Sequence, residues 1–137
     1  MAQLGFYIDV ERCTGCKTCM AACRDKKNSP QGVKLRRVTE FSGGEWKKQK
    51  DGSWMSDVFA YYTSISCNHC SDPACVKVCP TKAHYKRESD GLVLIDQSKC
   101  IGCGACARAC PYGAPQLNTQ IRKMSKCDAC ADRLAEG

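Results

Sequence analysis

A chain of 137 residues with 14 cysteines and only 7% aromatic content is the size of one domain but poor in the side chains that build a hydrophobic core. Cysteine at this density points to a disulfide scaffold or a metal protein, and "MAQLGFYIDVERCTGC" lacks the basic-then-apolar leader of an exported chain. No apolar stretch has the length of a membrane span, so the chain is not expected to cross a bilayer itself.

In chain order, "FYIDV" at 6–10 is a β-rich run that predicts a strand leading into a first cysteine group, Cys13, Cys16, Cys19 and Cys23. Cys19 to Lys26 reads as a short helix. Residues 24–66 are free of cysteine, and "VKLRRVTEF" and "DVFAYYTSIS" flank the turn-rich "SGGEWKKQKDGSW", which predicts an inserted β-hairpin arm. Trp46 and Trp54 flank its basic tip, either as cross-strand packing or as a docking surface. The second group is Cys67, Cys70, Cys75 and Cys79, where Asp72-Pro73 makes a turn that absorbs two extra residues. Residues 80–99 predict a smaller hairpin turning at "SDG", whose strand "GLVLID" enters the third group, Cys100, Cys103, Cys106 and Cys110. A helical turn over 106–110 is stopped by Pro111. The fourth group has two members, Cys127 and Cys130.

Groups one and three share the spacing C-x2-C-x2-C-x3-C, and "GFYIDVERCTGC" matches "LVLIDQSKCIGC", which is an internal duplication. Three thiolates around one tight loop suit three corners of a cubane cluster and crowd a single tetrahedral zinc. In the bacterial ferredoxin pattern the fourth cysteine lies a helical turn away and ligates a different cluster. Head-to-tail pairing therefore predicts one cluster on Cys67, Cys70, Cys75 and Cys110, and a neighbour on Cys100, Cys103, Cys106 and Cys79. By the same logic Cys13, Cys16 and Cys19 belong to a third, and Cys23 with Cys127 and Cys130 to a fourth. Each of these is one ligand short, which predicts a chain truncated at Gly137. The elements together predict an α+β fold of duplicated bacterial-ferredoxin-like modules with short strands and short helices. Residues 1–27 with 121–137 form the first module, 67–120 the second, and 28–66 the arm.

Gly15 and Gly102 sit just before the second cysteine of their groups, where a missing Cβ lets the backbone wrap a cluster and aim amides at sulfur. His69 is expected as a hydrogen-bonding loop residue rather than a ligand, His84 as structural or exposed, and Tyr112 as packing or as a shield against water. The formal charge of +7, with "KLRR" at 34–37 and "KKQK" at 47–50, fits an anionic partner. Each oxidised four-iron cluster with its thiolates carries about −2, however, so two bring the charge to about +3 and four bring it near zero. The basic residues then have an internal anion to balance, and no nucleic acid is expected; a zinc-dependent nucleic-acid binder is the competing reading of the C-x2-C pairs. The sequence holds no P-loop, G-x-G-x-x-G or G-x-S-x-G. Irons fully ligated by cysteine offer no open position to substrate, so the expected work is electron transfer without catalysis.

As a set, "RCTGCKTC", "SISCNHCSDPACVKVCP", "CIGCGACARACPYGAP" and "KCDACADRLAEG" resemble the four-cluster iron-sulfur subunits of bacterial molybdopterin oxidoreductases, nearest the branch serving anaerobic dimethyl sulfoxide reduction. The resemblance implies an electron wire in a three-subunit complex. Electrons would pass from a quinol-oxidising membrane anchor subunit to a molybdopterin catalytic subunit that reduces dimethyl sulfoxide or related S-/N-oxides. The chain would then lie peripheral to the cell membrane, on its cytoplasmic or periplasmic face. Formate, polysulfide and nitrate systems share the pattern, and a free ferredoxin-type carrier would leave the basic arm and the fourth group without a use. Some members replace one group-three cysteine and hold a three-iron cluster there; Cys103 implies four irons. Relatives continue beyond the equivalent of Gly137 into C-x3-C-P, which supplies the two missing ligands. The resemblance thus implies four [4Fe-4S] clusters in an untruncated protein and two complete in this chain. It also places the clusters of groups two and three toward the anchor, and those of groups one and four toward the catalytic subunit.

Overall fold

The computed structural model describes residues 2–136. Helix α1 (Thr18–Lys27) is entered through left-handed Lys17 and ends at Asn28, whose amide returns to the carbonyls of Arg24 and Asp25. Arg24, Lys26 and Lys27 in its last turn complement the helix dipole. No residue of α1 is buried, so packing alone does not hold it. Polar ties do: Lys27 reaches Asp128 at 2.7 Å, and Lys26 pairs with Asp132. These two pairs fasten the first cysteine group to the fourth across a hundred residues of sequence.

The cysteine-free segment folds back on itself as strands β1 (Arg37–Gly43), β2 (Trp46–Lys48), β3 (Trp54–Ser56) and β4 (Phe59–Ile65). β1 pairs antiparallel with β4 from Arg37↔Ile65 to Gly43↔Phe59, and β2 with β3 from Trp46↔Ser56 to Lys48↔Trp54. The ladder breaks between the two pairs because Gly44, at φ 86°, lies against the Asp57 carbonyl, where a Cβ would stand 2.3 Å away. Cross-strand packing falls to Phe41 and Tyr61, register partners whose rings stack at 5.3 Å. Trp46 and Trp54 are instead 63% and 58% exposed at the tip.

The rest of the chain is a series of short elements: helix α2 (Ala74–Lys77), hairpin β5 (His84–Lys86) and β6 (Val93–Ile95), helix α3 (Ala105–Ala109), hairpin β7 (Gln116–Asn118) and β8 (Lys123–Ser125), and helix α4 (Ala131–Glu136). The Arg87 guanidinium grips the Asp90 carboxylate across the β5–β6 turn, with Gly91 at φ 71° closing it. Among the described residues every sheet has two strands, giving a small α+β fold built of loops between short elements. Among the described residues no helix is long and apolar enough to cross a membrane.

The strand expected over "FYIDV" does not form. Residues 6–10 find no partner edge among the described residues, and Phe6, Tyr7 and Val10 stay exposed. A β-rich run becomes a strand only when a neighbour satisfies its amides and carbonyls; here Leu4 donates one bond to the Asp90 carbonyl at 2.9 Å. The matching run "GLVLID" does have a neighbour and supplies β6.

Among the described residues, four of the eleven buried apolar ones are cysteines: Cys67, Cys100, Cys106 and Cys127. Two clusters carry the interior, one of Ala83, Cys100, Cys106 and Met124, the other of Cys67, Ala114 and Cys127. His84 is 3% exposed with neither ring nitrogen hydrogen-bonded among the described residues. Burial, then the charge of Lys126, brings its pKa down to about 4. As pH falls the unfolded chain takes up this proton first, so the contribution of neutral His84 is complete above about 6.5 and is lost toward 4. The thermal midpoint of the holo-protein is expected to fall across that window, and less steeply in His84→Leu; equal slopes in the two proteins would contradict the assignment.

Candidate functional site

Each cysteine group turns at the same place. The residue two positions after the first cysteine is left-handed in all four: Gly15 at φ 69°, His69 at 45°, Gly102 at 71° and Ala129 at 56°. This conformation curls the backbone around the first sulfur, so the His69 amide points at Cys67 Sγ and the Ala129 amide at Cys127 Sγ, both at 3.4 Å. For this backbone turn the sequence pointed only to the two glycines. In these the absent Cβ serves close approach instead of an amide–sulfur contact: a Cβ would meet the Tyr62 ring at 2.5 Å from Gly15 and the Arg122 carbonyl at 2.2 Å from Gly102. Further amides aimed at cysteine sulfur include those of Ala83, 3.2 Å from Cys79 Sγ, and Met124, 3.4 Å from Cys100 Sγ. His69 and Ala129 were findable by aligning the four groups on their first cysteine.

Cys67, Cys70, Cys75 and Cys110 line one cavity, with Tyr112 and Lys126 also at its wall. Burial pushes the Cys75 thiol up, opposed by Lys126 and reinforced by Cys67, Cys110 and Cys70. Cys100 and Cys106 are buried together, with Cys79 and Cys75 packed against them. Burial raises Cys106 to about 11. Burial also acts to raise Cys79, but the His84 amide, the Thr81 hydroxyl and the Ala83 amide outweigh it and hold that thiol below its ordinary value. Cys103 lies at the exposed tip of its loop.

Cys23 is brought to the fourth group: burial and then proximity to Cys127 push its thiol up, Arg36 acts against them, and Cys130 adds to the rise. Cys13 is half-buried, whereas Cys16 and Cys19 are exposed; Cys19 Sγ lies 3.3 Å from the Ser64 hydroxyl. Among the described residues no three His, Cys, Asp or Glu side chains are arranged to hold a single metal ion, and every described cysteine is free of disulfide. The four thiols around one cavity, with a backbone amide directed at sulfur, fit a cluster that brings its own iron and sulfide to fill the space between them.

His69 is 2% exposed, and its Nδ1 accepts from the Val93 amide at 2.9 Å, which leaves the proton on Nε2. Burial, followed by the charge of Lys126, lowers its pKa to about 4, so it is a neutral hydrogen-bonding loop residue. His84 is structural and buried. Tyr112 is half-exposed, and its carbonyl accepts from Arg37 at 2.5 Å. The residue that sequence reasoning missed is Lys126, buried at the cavity wall.

A left-handed alanine is strained where glycine is not. Ala129→Gly is accordingly expected to be neutral or to stabilise by about 1 kcal/mol in denaturant unfolding. Gly102→Ala should destabilise by more than about 1 kcal/mol and lower iron content. Equal stabilities for the two variants would contradict the shared loop geometry.

Residues 58–137 match the model of the 4Fe-4S dicluster domain, and residues 4–25 that of a 4Fe-4S binding domain. The sequence is 58% identical over 135 residues to the B subunit of anaerobic dimethyl sulfoxide reductase from Escherichia coli (strain K12), covering 98% of this chain and 65% of that protein. It is 55% identical over 137 residues to the namesake protein from Haemophilus influenzae, covering 100% and 66%. It is also 42% identical over 135 residues to the formate dehydrogenase iron-sulfur subunit of Wolinella succinogenes, covering 95% and 62%. The chain therefore spans just under two thirds of the length of these relatives.

Proposed function

The protein belongs to the 4Fe-4S dicluster family, and from that premise we propose that it is the electron-transfer subunit of an anaerobic reductase complex. It would relay electrons through [4Fe-4S] clusters to a molybdopterin catalytic subunit that reduces dimethyl sulfoxide or a related S-/N-oxide. The observation that carries the reading is the convergence of Cys110 on the cavity of Cys67, Cys70 and Cys75, from more than thirty residues away in sequence. The choice of acceptor rests on the 55–58% identity to the sulfoxide reductase subunits, against 42% to the formate dehydrogenase subunit.

In this reading Cys67, Cys70, Cys75 and Cys110 ligate one cluster, and Cys100, Cys103, Cys106 and Cys79 its neighbour, both complete within the chain. Cys13, Cys16 and Cys19 contribute to a third. Cys23, Cys127 and Cys130 contribute to a fourth, supported by the approach of Cys23 to the other two. Each of these two sets is one sulfur short of the four that a [4Fe-4S] cluster takes. The clusters, when bound, supply one-electron redox chemistry without an open coordination site. The protein's own part is to fix the sulfurs, aim amides at them, and exclude water at the buried groups. The two ferredoxin-like modules are 67–120 and, split by the rest, 1–27 with 121–137. The arm, 28–66, carries exposed Trp46 and Trp54 at its tip and suits docking to a partner subunit. A membrane anchor that oxidises quinol is the electron donor, which leaves this chain peripheral to the membrane and non-catalytic.

Native purification is expected to yield a brown protein with iron and acid-labile sulfide in equal amounts, in company with a molybdenum subunit and an integral membrane protein. Cys103→Ser should alter the electron paramagnetic resonance of one cluster and slow reduction by quinol at unchanged iron in the others. A colourless protein with stoichiometric zinc would contradict the proposal, as would an unaltered spectrum in the variant.

A further inference from the structure

In three of the four cysteine groups a basic residue precedes the first cysteine: Arg12, Lys99 and Lys126. Two of them are treated alike. Arg12 pairs with Asp9 at 3.4 Å and Lys99 with Asp96 at 3.2 Å, with side chains 89% and 62% exposed. Each acid is supplied by the repeat itself, four residues before the cysteine. In the fourth group that place is taken by Lys123, so the pairing acid is missing. Lys126 is turned inward, 6% exposed, and its Nζ donates to the carbonyls of Val93 and Cys127, the latter at 2.9 Å. Two carbonyl acceptors suit an ammonium, but they carry no full negative charge. Asp128, the nearest acid along the chain, is held by Lys27 at 2.7 Å. Among the described residues no carboxylate lies within ion-pair distance of Lys126.

A buried ammonium without a counter-charge is strongly unfavourable. The cavity whose wall Lys126 shares with Cys67, Cys70, Cys75 and Cys110 is where a counter-anion would lie. We propose that Lys126 is the fixed counter-charge of the Cys67–Cys70–Cys75–Cys110 site and raises the reduction potential of the cluster held there. A positive charge in a poorly solvated interior favours the more negative, reduced state. Lys126 also immediately precedes Cys127, so it lies between that site and the fourth cysteine group. It would therefore favour residence of the electron at the first of two neighbouring stations. Lys126 is a positioning residue for charge and touches no substrate. The inference rests on the ligand assignment proposed above.

The test is redox titration by electron paramagnetic resonance of the anaerobically purified holo-protein, with iron and acid-labile sulfide measured on every variant. Lys126→Met is expected to keep the iron content and to lower the reduction equilibrium of one cluster at least tenfold, about 59 mV for one electron. Lys126→Arg, which keeps the charge, should stay within about threefold of the parent protein, as should Lys99→Met, which removes the exposed counterpart in the repeat. If Lys126→Met loses iron, Lys126→Gln, which retains donors for the two carbonyls, takes its place and should show the same fall. Potentials within about threefold of the parent in the neutral variants overturn the proposal. So does an equal shift in Lys99→Met, or iron loss in both neutral variants, which would make Lys126 purely structural. Absence of iron and sulfide from the parent protein would instead contradict the functional reading itself.

Discussion

The gathering of cysteine sulfurs from separate loops at shared points is the constraint on which the rest of this structure depends. The helices are one to three turns long, the sheets are paired strands, and the largest fully buried side chains are Leu92, His69 and Val93. An interior of this size supplies little burial for a chain of 137 residues. Cysteines occupy the places where larger apolar side chains would otherwise pack, so the proposed clusters serve as core as well as cofactor, and their binding energy becomes folding energy. This explains why helix α1 can bury none of its residues and why the loops, not the regular elements, repeat with the greatest fidelity.

The loops also determine electrostatics. Buried thiols such as Cys106, at about 11, give up their protons only in exchange for a metal, which stabilises the thiolate directly. Backbone amides at the sulfurs add fixed partial positive charge at no cost in net charge. Whole charges are placed more sparingly. In the arm, Lys47 pairs with Glu45 at 3.1 Å and with Asp57 at 3.5 Å, while among the described residues a single lysine, Lys126, is buried. Basic residues thus occur both at a solvated tip and at one buried site, two environments in which a charge has very different consequences.

Much of this was legible in the sequence because cysteine spacing is a geometric statement. The x2 intervals dictate one tight loop, the x3 interval a helical turn, and the Cys-Pro ends a stop; α1 and α3 lie where those intervals place them. The hairpin of the 28–66 segment was visible in two β-rich runs flanking a turn-rich stretch, though not its division into two pairs. What was not legible depended on neighbours. "FYIDV" has the composition of a strand but no edge to pair with, and composition cannot report a missing partner. His69 and Ala129 are left-handed despite having side chains, because the loop overrides local preference. Lys126 has nothing in its composition that separates it from a surface lysine; only its counterparts Arg12 and Lys99, which hold acids that it lacks, set it apart.

In the proposed arrangement Cys79 and Cys110, the fourth cysteines of groups two and three, each serve the other group's cluster. Cluster-resolved electron paramagnetic resonance on Cys70→Ser, Cys110→Ser and Cys106→Ser tests it most directly. The account predicts that the first two variants lose or alter the same signal and that Cys106→Ser affects a different one. A spectrum in which Cys110→Ser and Cys106→Ser share one lesion, leaving the signal lost in Cys70→Ser intact, would contradict it.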